Sequence, residues 1–363
     1  MKLQFLLILL IPVAANFYVL WHIWQILPVS HLWKWVAVGV FTLVFAAFFL
    51  ALSRRLDMMP FWLGQGVYEV GTSWVIILLY LFMFFLLADV CRLLHIIPAI
   101  LLKNSLTGTL ITAGVMLLLF GYGSFRYHQK ERQEIHLTTS RPNARNMRIV
   151  MLSDLHLGYH NRRKELERWV RIINDEHPDF VVLAGDVIDR SLRPLLEDND
   201  AEAFRKIKAP IYACFGNHEF YAGVQGSADF YRQAGINLLR DSVVNLDGIS
   251  FVGRDDRSNP HRHSLKELMQ QCDRNNYSVV LDHQPYLLDE AQRCGADLQL
   301  SGHTHYGQVW PANLITEKVY ECAYGAYRRG DTYYYVSSGI GIWGGKFRIG
   351  TRSEYVVIDL RRQ

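Results

Sequence analysis

The sequence is poor in cysteine, in net charge and in repeated or low-complexity segments. Its five cysteines are scattered and include no CxxC pair, which excludes a disulfide framework and a zinc ribbon and favours a reducing compartment. The net charge of +4 is too small to indicate a nucleic-acid-binding protein by itself. The Gly-Ser pairs at 123–124 and 226–227 lack the context of a nucleophile elbow, so no serine hydrolase is predicted.

Charged residues are also scarce in the first 125 residues, which are mostly Leu, Ile, Val, Phe and Trp. A helix needs about 20 apolar residues to cross the hydrocarbon core of a bilayer. Four stretches meet this requirement, at about 3–27, 35–52, 70–90 and 105–125. We therefore predict an all-α transmembrane region of four helices at residues 1–125. A cleaved signal peptide is disfavoured for the first stretch, because that run is too long and three more follow.

Basic residues in the flanks predict the orientation of this region, because Lys and Arg are retained on the cytoplasmic side. Four spans put both ends of the region on one side, which carries nine basic residues: Lys2, Arg54, Arg55, Arg126, Lys130, Arg132, Arg141, Arg145 and Arg148. The other side carries Lys34, Arg92 and Lys103. We predict a multi-pass protein of the cell (inner) membrane whose remaining chain is cytoplasmic.

Residues 126–146 are predicted to be a basic juxtamembrane linker, which either lies against anionic lipid headgroups or is simply solvated. From there to the end, at residues 147–363, apolar runs alternate with helical patterns. Strands are predicted at 148–153, 180–184, 211–215, 249–253, 278–282 and 298–301, helices at 163–176, 201–208 and 264–272, and an all-β tail at 332–337 and 354–360. This alternation indicates an α/β fold, in which ligands bind beyond the carboxyl ends of the strands.

Polar clusters follow these strands in a fixed order. They are Asp154-Leu155-His156, Gly185-Asp186-Val187-Ile188-Asp189-Arg190, Gly216-Asn217-His218-Glu219, His283, and Gly302-His303-Thr304-His305. Carboxylate, imidazole and amide groups are the donors that suit Mn, Fe or Zn. Each cluster alone is a weak signal, since a Gly-Asp or Gly-Asn pair after a strand is usually a turn. Five clusters together predict a metal site.

The five clusters resemble the signature of the calcineurin-like metallophosphoesterase superfamily: D-x-H, G-D-x-x-D, G-N-H-[DE], a lone H, and G-H-x-H. Every element is present without substitution, and the resemblance covers about residues 146–360. It implies a calcineurin-like sandwich of central β-sheets flanked by helices. The segments 337–341 (SSGIG) and 347–350 (FRIG) further resemble membrane-associated bacterial phosphoesterases.

The resemblance implies two divalent metal ions, Mn, Fe or Zn with Mn favoured, and a set of ligands that shares one bridging carboxylate. The ligands are Asp154, His156 and His305 for one ion, Asn217, His283 and His303 for the other, and Asp186 for the bridge. His218 would contact the phosphate and protonate the leaving oxygen, and Asp189 would orient His218. Arg190 either contacts phosphate or is an ordinary surface arginine.

These roles imply a metal-dependent phosphoric ester hydrolase that uses a metal-bridging hydroxide and forms no covalent intermediate. The transmembrane region favours a lipid-linked phosphodiester or pyrophosphate, for example one like UDP-diacylglucosamine. Trp310, Trp343 and Tyr324–Tyr335 either form a slot for acyl chains or are ordinary core aromatics.

The sequence does not indicate any protein partner. Two other functions remain open. The first is a tethered general phosphodiesterase or nuclease. Nucleic acid is disfavoured because the basic residues cluster at the linker and not on an aromatic-lined face. The second is a non-catalytic metal-binding sensor or scaffold, which is disfavoured because the ligand set is complete.

Overall fold

The structure is a computed structural model that describes the backbone of residues 2–363 and the side chains of residues 10–363. The chain divides into two compact units, one of Met1–Phe125 with Gly344–Lys346 and one of Arg126–Trp343 with Phe347–Gln363. The first unit is built from helices. The second unit is an α/β sandwich, as the sequence predicts.

The helices of the first unit coincide with the predicted transmembrane region. They are α1 (Lys2–Ile26), α2 (His31–Ala51), α3 (Phe61–Leu93) and α4 (Leu106–His128). Helices α2, α3 and α4 are long and apolar enough to cross a membrane, and α1 continues as a shorter apolar helix over Leu10–Ile26. The side chains at the start of the first predicted span, including Lys2 and Leu3, lie outside the described residues.

The second unit contains two six-stranded sheets with the orders β1-β12-β2-β3-β4-β5 and β10-β11-β9-β8-β7-β6. The strands of the first sheet are β1 (Lys130–Thr139), β2 (Met147–Leu152), β3 (Phe180–Ala184), β4 (Ile211–Cys214), β5 (Ile236–Leu238) and β12 (Ser353–Arg362). Those of the second sheet are β6 (Ser242–Leu246), β7 (Ile249–Gly253), β8 (Tyr277–Leu281), β9 (Leu298–Ser301), β10 (Gly325–Arg329) and β11 (Thr332–Val336).

Eight helices connect or cover these strands. They are α5 (Arg163–Asp175), α6 (Arg193–Glu197), α7 (Asp200–Phe204), α8 (Asn217–Ala222), α9 (Val224–Gln233), α10 (Leu265–Met269), α11 (Leu288–Arg293) and α12 (Ala312–Val319). Alternate residues of the central strands face two different cores. Met151 of β2 belongs to the buried cluster that contains Phe251 of the second sheet, whereas Val150 belongs to the cluster of Trp169 on α5. Because both faces are buried, these strands are continuous apolar runs.

The prediction of a linker at residues 126–146 is wrong, because β1 occupies most of this segment. It pairs in parallel with β12 along its whole length, from Lys130 opposite Ser353 to Thr139 opposite Arg362. The basic side chains are held in ion pairs of the folded unit. Arg132 lies 2.8 Å from Glu176, and Arg148 lies 2.8 Å from Asp359. Charges that suggest a solvated linker are thus part of an edge strand.

We expect a fragment that begins at Met147 to be less stable and more prone to aggregate than a fragment that begins at Arg126. Without β1, the ten-residue strand β12 becomes an exposed edge that can pair with another chain. Thermal unfolding combined with light scattering compares the two fragments. Equal unfolding temperatures and equal solubility would show that β1 contributes nothing.

Candidate metal centre

The predicted site residues lie where the central strands end. Asp154 and His156 follow β2, and Asp186 follows β3 in the same sheet. His283 follows β8 and His303 follows β9, which are neighbours in the second sheet. Strands β2, β3 and β4 run parallel, as do β8 and β9, so each sheet carries its polar clusters along one edge. The two edges together place the side chains of both sheets in one site.

The backbone at this site contains an unusual number of residues in the left-handed conformation. Five of the predicted ligands have positive φ angles, a left-handed conformation that non-glycine residues rarely adopt: Asp154 (53°), His156 (45°), Asp186 (52°), His303 (71°) and His305 (47°). Hydrogen bonds between the neighbouring segments hold this conformation, with the N–H of Asp154 donating to Gly185 O and the N–H of His156 donating to Asp186 O. Such clusters of strained residues are characteristic of functional sites.

Two of the motif glycines are required by close approach to the ligands. A Cβ at Gly216 would lie 2.2 Å from Asp186 Oδ1, and a Cβ at Gly302 would lie 2.3 Å from Asp154 Oδ2. Both contacts are shorter than any real packing distance, so a side chain at either position would displace a carboxylate of the site.

The first group of donors consists of Asp154, His156 and His305, whose ligand atoms lie within 4.8 Å of one another. The Nε2 atoms of the two histidines face each other at 3.0 Å, and Asp154 Oδ1 lies 3.5 Å from Nε2 of His305. Ligands about 2.0–2.2 Å from one cation are about 3.0–3.5 Å apart from each other in tetrahedral or octahedral geometry. The third distance, from Asp154 Oδ1 to Nε2 of His156, is slightly longer at 3.9 Å, so the three donors surround the position of a single metal ion.

The second group consists of Asp186, His283 and His303, and its carboxylate lies beside the first group. Asp186 Oδ2 lies 3.0 Å from Nε2 of His283 and 3.7 Å from Nε2 of His156. The other ring nitrogen of His283, Nδ1, donates a hydrogen bond to the carbonyl oxygen of Ala184 at 2.7 Å. This bond turns Nε2 towards the site. One carboxylate oxygen thus faces both groups, as a bridge between two cations requires.

Asn217, the remaining predicted ligand, begins helix α8 directly after β4. Its side-chain oxygen is buried and makes no hydrogen bond among the described residues. A buried amide oxygen without a partner is costly, so it needs a further group to contact. A cation would satisfy this oxygen.

The electrostatic state of the histidines also suits metal binding. Burial lowers the pKa of His303 to about 4 and lowers that of His305 well below its usual range, which keeps both rings neutral. Neutral imidazole is the form that binds metals. At His283, burial lowers the pKa, but the ionised Asp186 outweighs burial and raises it well above its usual range. A positive charge beside Asp186 is therefore favoured, and a divalent cation can supply it.

His218 and Asp189 lie side by side next to the first donor group. His218 Nδ1 lies 2.5 Å from the carbonyl oxygen and 3.3 Å from the carboxylate of Asp189, and the same carboxylate lies 3.3 Å from Nδ1 of His156. Burial would lower the pKa of His218, but Asp186 and Asp189 outweigh it and raise the pKa to about 9. Asp189 thus contacts a predicted ligand as well as His218. Arg190 is half-buried after Asp189, and its part in catalysis stays a prediction.

Glu219 is a buried residue at the site to which the sequence assigned no role. Its carboxylate accepts hydrogen bonds from the N–H groups of Asp186 (3.1 Å), Ile188 (2.9 Å) and Gly216 (2.7 Å). Burial, followed by repulsion from Asp186, raises the pKa of Glu219 to about 7. The residue holds together the loops after β3 and β4. The only sequence signal was its place in the G-N-H-E motif.

Arg348 is a second such residue, within the FRIG segment. Its guanidinium group is fully buried and donates to the carbonyls of His305 (2.8 Å), Ser338 (2.5 Å) and Gly341 (3.0 Å). The segment that it holds is hydrogen-bonded in turn to the strand end, because the N–H of Gly341 donates to Asp154 O at 3.1 Å. The only indication of this role in the sequence is an arginine within the short segment Phe347-Arg348-Ile349-Gly350.

Comparisons with known proteins identify related metallophosphoesterases. The calcineurin-like phosphoesterase family matches residues 147–307. A transmembrane protein with a metallophosphoesterase domain from Danio rerio is 28% identical over 91% of this chain and 80% of the relative. An uncharacterized metallophosphoesterase from Campylobacter jejuni is 30% identical over 70% of this chain and 69% of the relative. One from Aquifex aeolicus is 30% identical over 62% of this chain and 88% of the relative.

Among solved structures, a dimetal phosphatase from Danio rerio is similar over 53% of this chain and 88% of its own, with 12% identity and a TM-score of 0.34. The helices of the first unit and the transmembrane relative make this chain a membrane protein. The strand-end clusters and the family match make it a metal-dependent phosphoester hydrolase. The chain belongs to the calcineurin-like metallophosphoesterase family.

Proposed function

We propose that this enzyme uses two divalent metal ions, with Mn²⁺ favoured, to hydrolyse a phosphodiester or pyrophosphate bond of a lipid-linked substrate. The observation that carries the two-metal proposal is the position of Asp186 Oδ2, which faces His283 and His156 at 3.0 and 3.7 Å. Two cations about 3.5–4 Å apart need such a shared anionic ligand. The oxygen and nitrogen donors suit Mn, Fe or Zn.

In this proposal the side chains divide the work of hydrolysis. When bound, the two cations supply a water-derived nucleophile near neutral pH and neutralise charge on the phosphoryl oxygens. His218, whose side chain is 14% exposed, can reach a bound phosphate and give a proton to the leaving oxygen. Asp189, fully buried, fixes the orientation of that ring. Arg190, the next residue in the chain, would contact the phosphate in this proposal.

Exposed apolar side chains after the last metal-binding cluster support a substrate with acyl chains. Trp310 is 46% exposed, and helix α12, which follows it, buries none of its side chains. Leu314 and Ile315 on that helix are 46% and 64% exposed. In contrast, Tyr334 and Tyr335 of β11 are buried in the core, so the tyrosine-rich stretch is not the basis of this proposal.

The basic residues that a nuclease would need are engaged elsewhere. Arg132, Arg141 and Arg148 form ion pairs with Glu176, Asp297 and Asp359 at 2.8, 3.0 and 2.8 Å. We therefore propose the lipid-linked substrate over a nucleic acid. For localisation, the basic flanks support a multi-pass protein of the inner membrane with a cytoplasmic catalytic unit.

We expect the purified full-length protein with Mn²⁺ to hydrolyse a lipid-linked pyrophosphate with a higher kcat/KM than the same compound without its acyl chains. The difference should be at least tenfold, because each buried methylene group contributes about 0.8 kcal/mol. The measurement is steady-state kinetics on both compounds, with a single-stranded oligonucleotide as a third substrate.

A variant with Leu314→Ser and Ile315→Ser separates the acyl contact from the chemistry. It should raise KM for the acylated compound and leave the deacylated compound unaffected. Equal kcat/KM for the two compounds in the natural protein would argue against a lipid-linked substrate. Preferred cleavage of the oligonucleotide would favour the tethered general phosphodiesterase instead.

A further inference from the structure

The last turn of helix α4 carries a tyrosine that is built into the catalytic unit. Helix α4 runs without a break from Leu106 to His128, and the residues from Arg126 onward belong to the second unit. Tyr127 is fully buried, and its hydroxyl group donates to Asn161 Oδ1 at 2.6 Å. Lys130 fixes the tyrosine from another side, with its Nζ 3.6 Å from the ring centroid and 2.7 Å from the Tyr127 carbonyl.

Asn161 connects this tyrosine to the segment that carries two predicted ligands. It is fully buried, and its amide group donates to Leu155 O at 3.0 Å and to Ile342 O at 3.1 Å. With the oxygen accepting from Tyr127, the side chain uses both amide hydrogens and its carbonyl. Its orientation is therefore set by three bonds together, and Tyr127 supplies the one that holds the amide oxygen.

Leu155 stands between Asp154 and His156, both of which have positive φ angles of 53° and 45°. A segment held in a rarely populated conformation persists only where its surroundings over-determine it. The bond from Asn161 to the Leu155 carbonyl is one such restraint, placed at the centre of the strained segment. Loss of this restraint would allow the two ligand side chains to move apart.

We infer that Tyr127 is a positioning residue for the metal site and holds the Asp154–His156 segment in its metal-binding geometry from the start of the second unit. The path runs from the Tyr127 hydroxyl through the Asn161 amide to the Leu155 carbonyl, in steps of 2.6 and 3.0 Å. This inference rests on the proposed metal site.

The test removes a single hydroxyl group from the full-length protein by Tyr127→Phe. Equilibrium dialysis against Mn²⁺ measures metal binding, and steady-state kinetics at saturating Mn²⁺ measures kcat. We expect Mn²⁺ to bind about tenfold more weakly, as for the loss of a group that orients a ligand, with kcat at saturating metal largely retained. The matched control is Tyr122→Phe, which removes a hydroxyl from a half-exposed residue of the same helix and should change neither quantity.

A double-mutant comparison tests the path itself. Asn161→Ala should weaken Mn²⁺ binding at least as much as Tyr127→Phe, and adding Tyr127→Phe to Asn161→Ala should cause no further loss. Additive losses would overturn the inference. So would a Tyr127→Phe variant whose metal-free form unfolds at a lower temperature while its Mn²⁺ affinity is unchanged, since that is a merely structural effect.

The same measurements separate this inference from the proposed function. If the natural protein binds no Mn²⁺ or a single ion, the two-metal site itself is wrong. If it binds two ions and the Tyr127→Phe variant binds them equally well, the two-metal site stands and the role of Tyr127 is refuted.

Discussion

An Asp186→Asn variant is expected to lose hydrolysis almost completely and to bind less metal. Both carboxylate oxygens of Asp186 have contacts that an amide would disturb. Oδ2 faces His283 and His156, and Oδ1 accepts a hydrogen bond from the backbone N–H of His218 at 2.9 Å. An amide removes the negative charge and places a donor where one oxygen stands. We expect kcat to fall by about 10³-fold or more. This loss exceeds the one usually caused by removing a single hydrogen-bond donor from an active site, because a full charge is lost.

The stability of this variant is measured beside its activity, so that a loss of fold is separated from a loss of chemistry. Burial would raise the pKa of Asp186, but His283 and His218 outweigh burial and hold that pKa well below its usual range, so the ionised carboxylate stabilises the metal-free fold. Removing this charge leaves the neighbouring imidazoles without their partner, and the metal-free variant should unfold at a lower temperature than the natural protein. Asp229→Asn, at a partly exposed carboxylate paired with Arg232, is the matched control and should keep full activity. Near-normal turnover by Asp186→Asn would refute the shared bridge.

The second large effect is expected at His218, where His218→Ala should lower kcat by about 10²–10⁴-fold while both metal ions stay bound. This ring is held by Asp189, and although it forms a third donor group with His156 and Asp189, it is absent from the groups that contain Asp154 and Asp186. Metal analysis by mass spectrometry, together with kcat, separates the two quantities. Loss of metal would mean that His218 is a ligand.

The identity of the leaving group sharpens this test. A general acid matters most when the leaving oxygen is strongly basic, so the loss should be large for an alkyl phosphodiester and small for a nitrophenyl ester. An equal loss for both leaving groups would show that His218 acts on the bound phosphate and not on the departing oxygen. Tyr221→Phe, on the same helix and 61% exposed, serves as a control for disturbance of α8.

Fully buried elements could be predicted from the sequence, and edge elements could not. The segments 180–184, 249–253 and 298–301 match β3, β7 and β9 because a strand buried on both faces is an uninterrupted apolar run. Strand β1 was missed because its sequence, KERQEIHLTT, exposes charged side chains along an edge. Helix α12 was missed because it buries no residue and so has no apolar face in a core.

In the candidate site, short sequence motifs could be predicted, whereas contacts between residues distant in the sequence could not. The donor clusters could be predicted because each is a short motif after a strand, and the parallel strands bring the motifs together. The roles of Glu219, Arg348 and Asn161 depend on hydrogen bonds to backbone groups elsewhere in the unit, such as that from Arg348 to the His305 carbonyl. A linear motif contains no information on such bonds, so these residues become visible only in the folded chain.

The position of β12 between β1 and β2 has a consequence for biosynthesis. Met147 of β2 pairs with Leu360 of β12, and Lys130 of β1 pairs with Ser353 of β12. Strands β1 and β2 therefore lack the strand between them until the ribosome has translated past residue 360. Upstream helices can enter the bilayer while this strand is still missing, since domains form in order of synthesis. A nascent chain arrested before β12 would therefore be targeted to the membrane without a finished catalyst, and hydrolysis would begin only after β12 has been synthesised and paired.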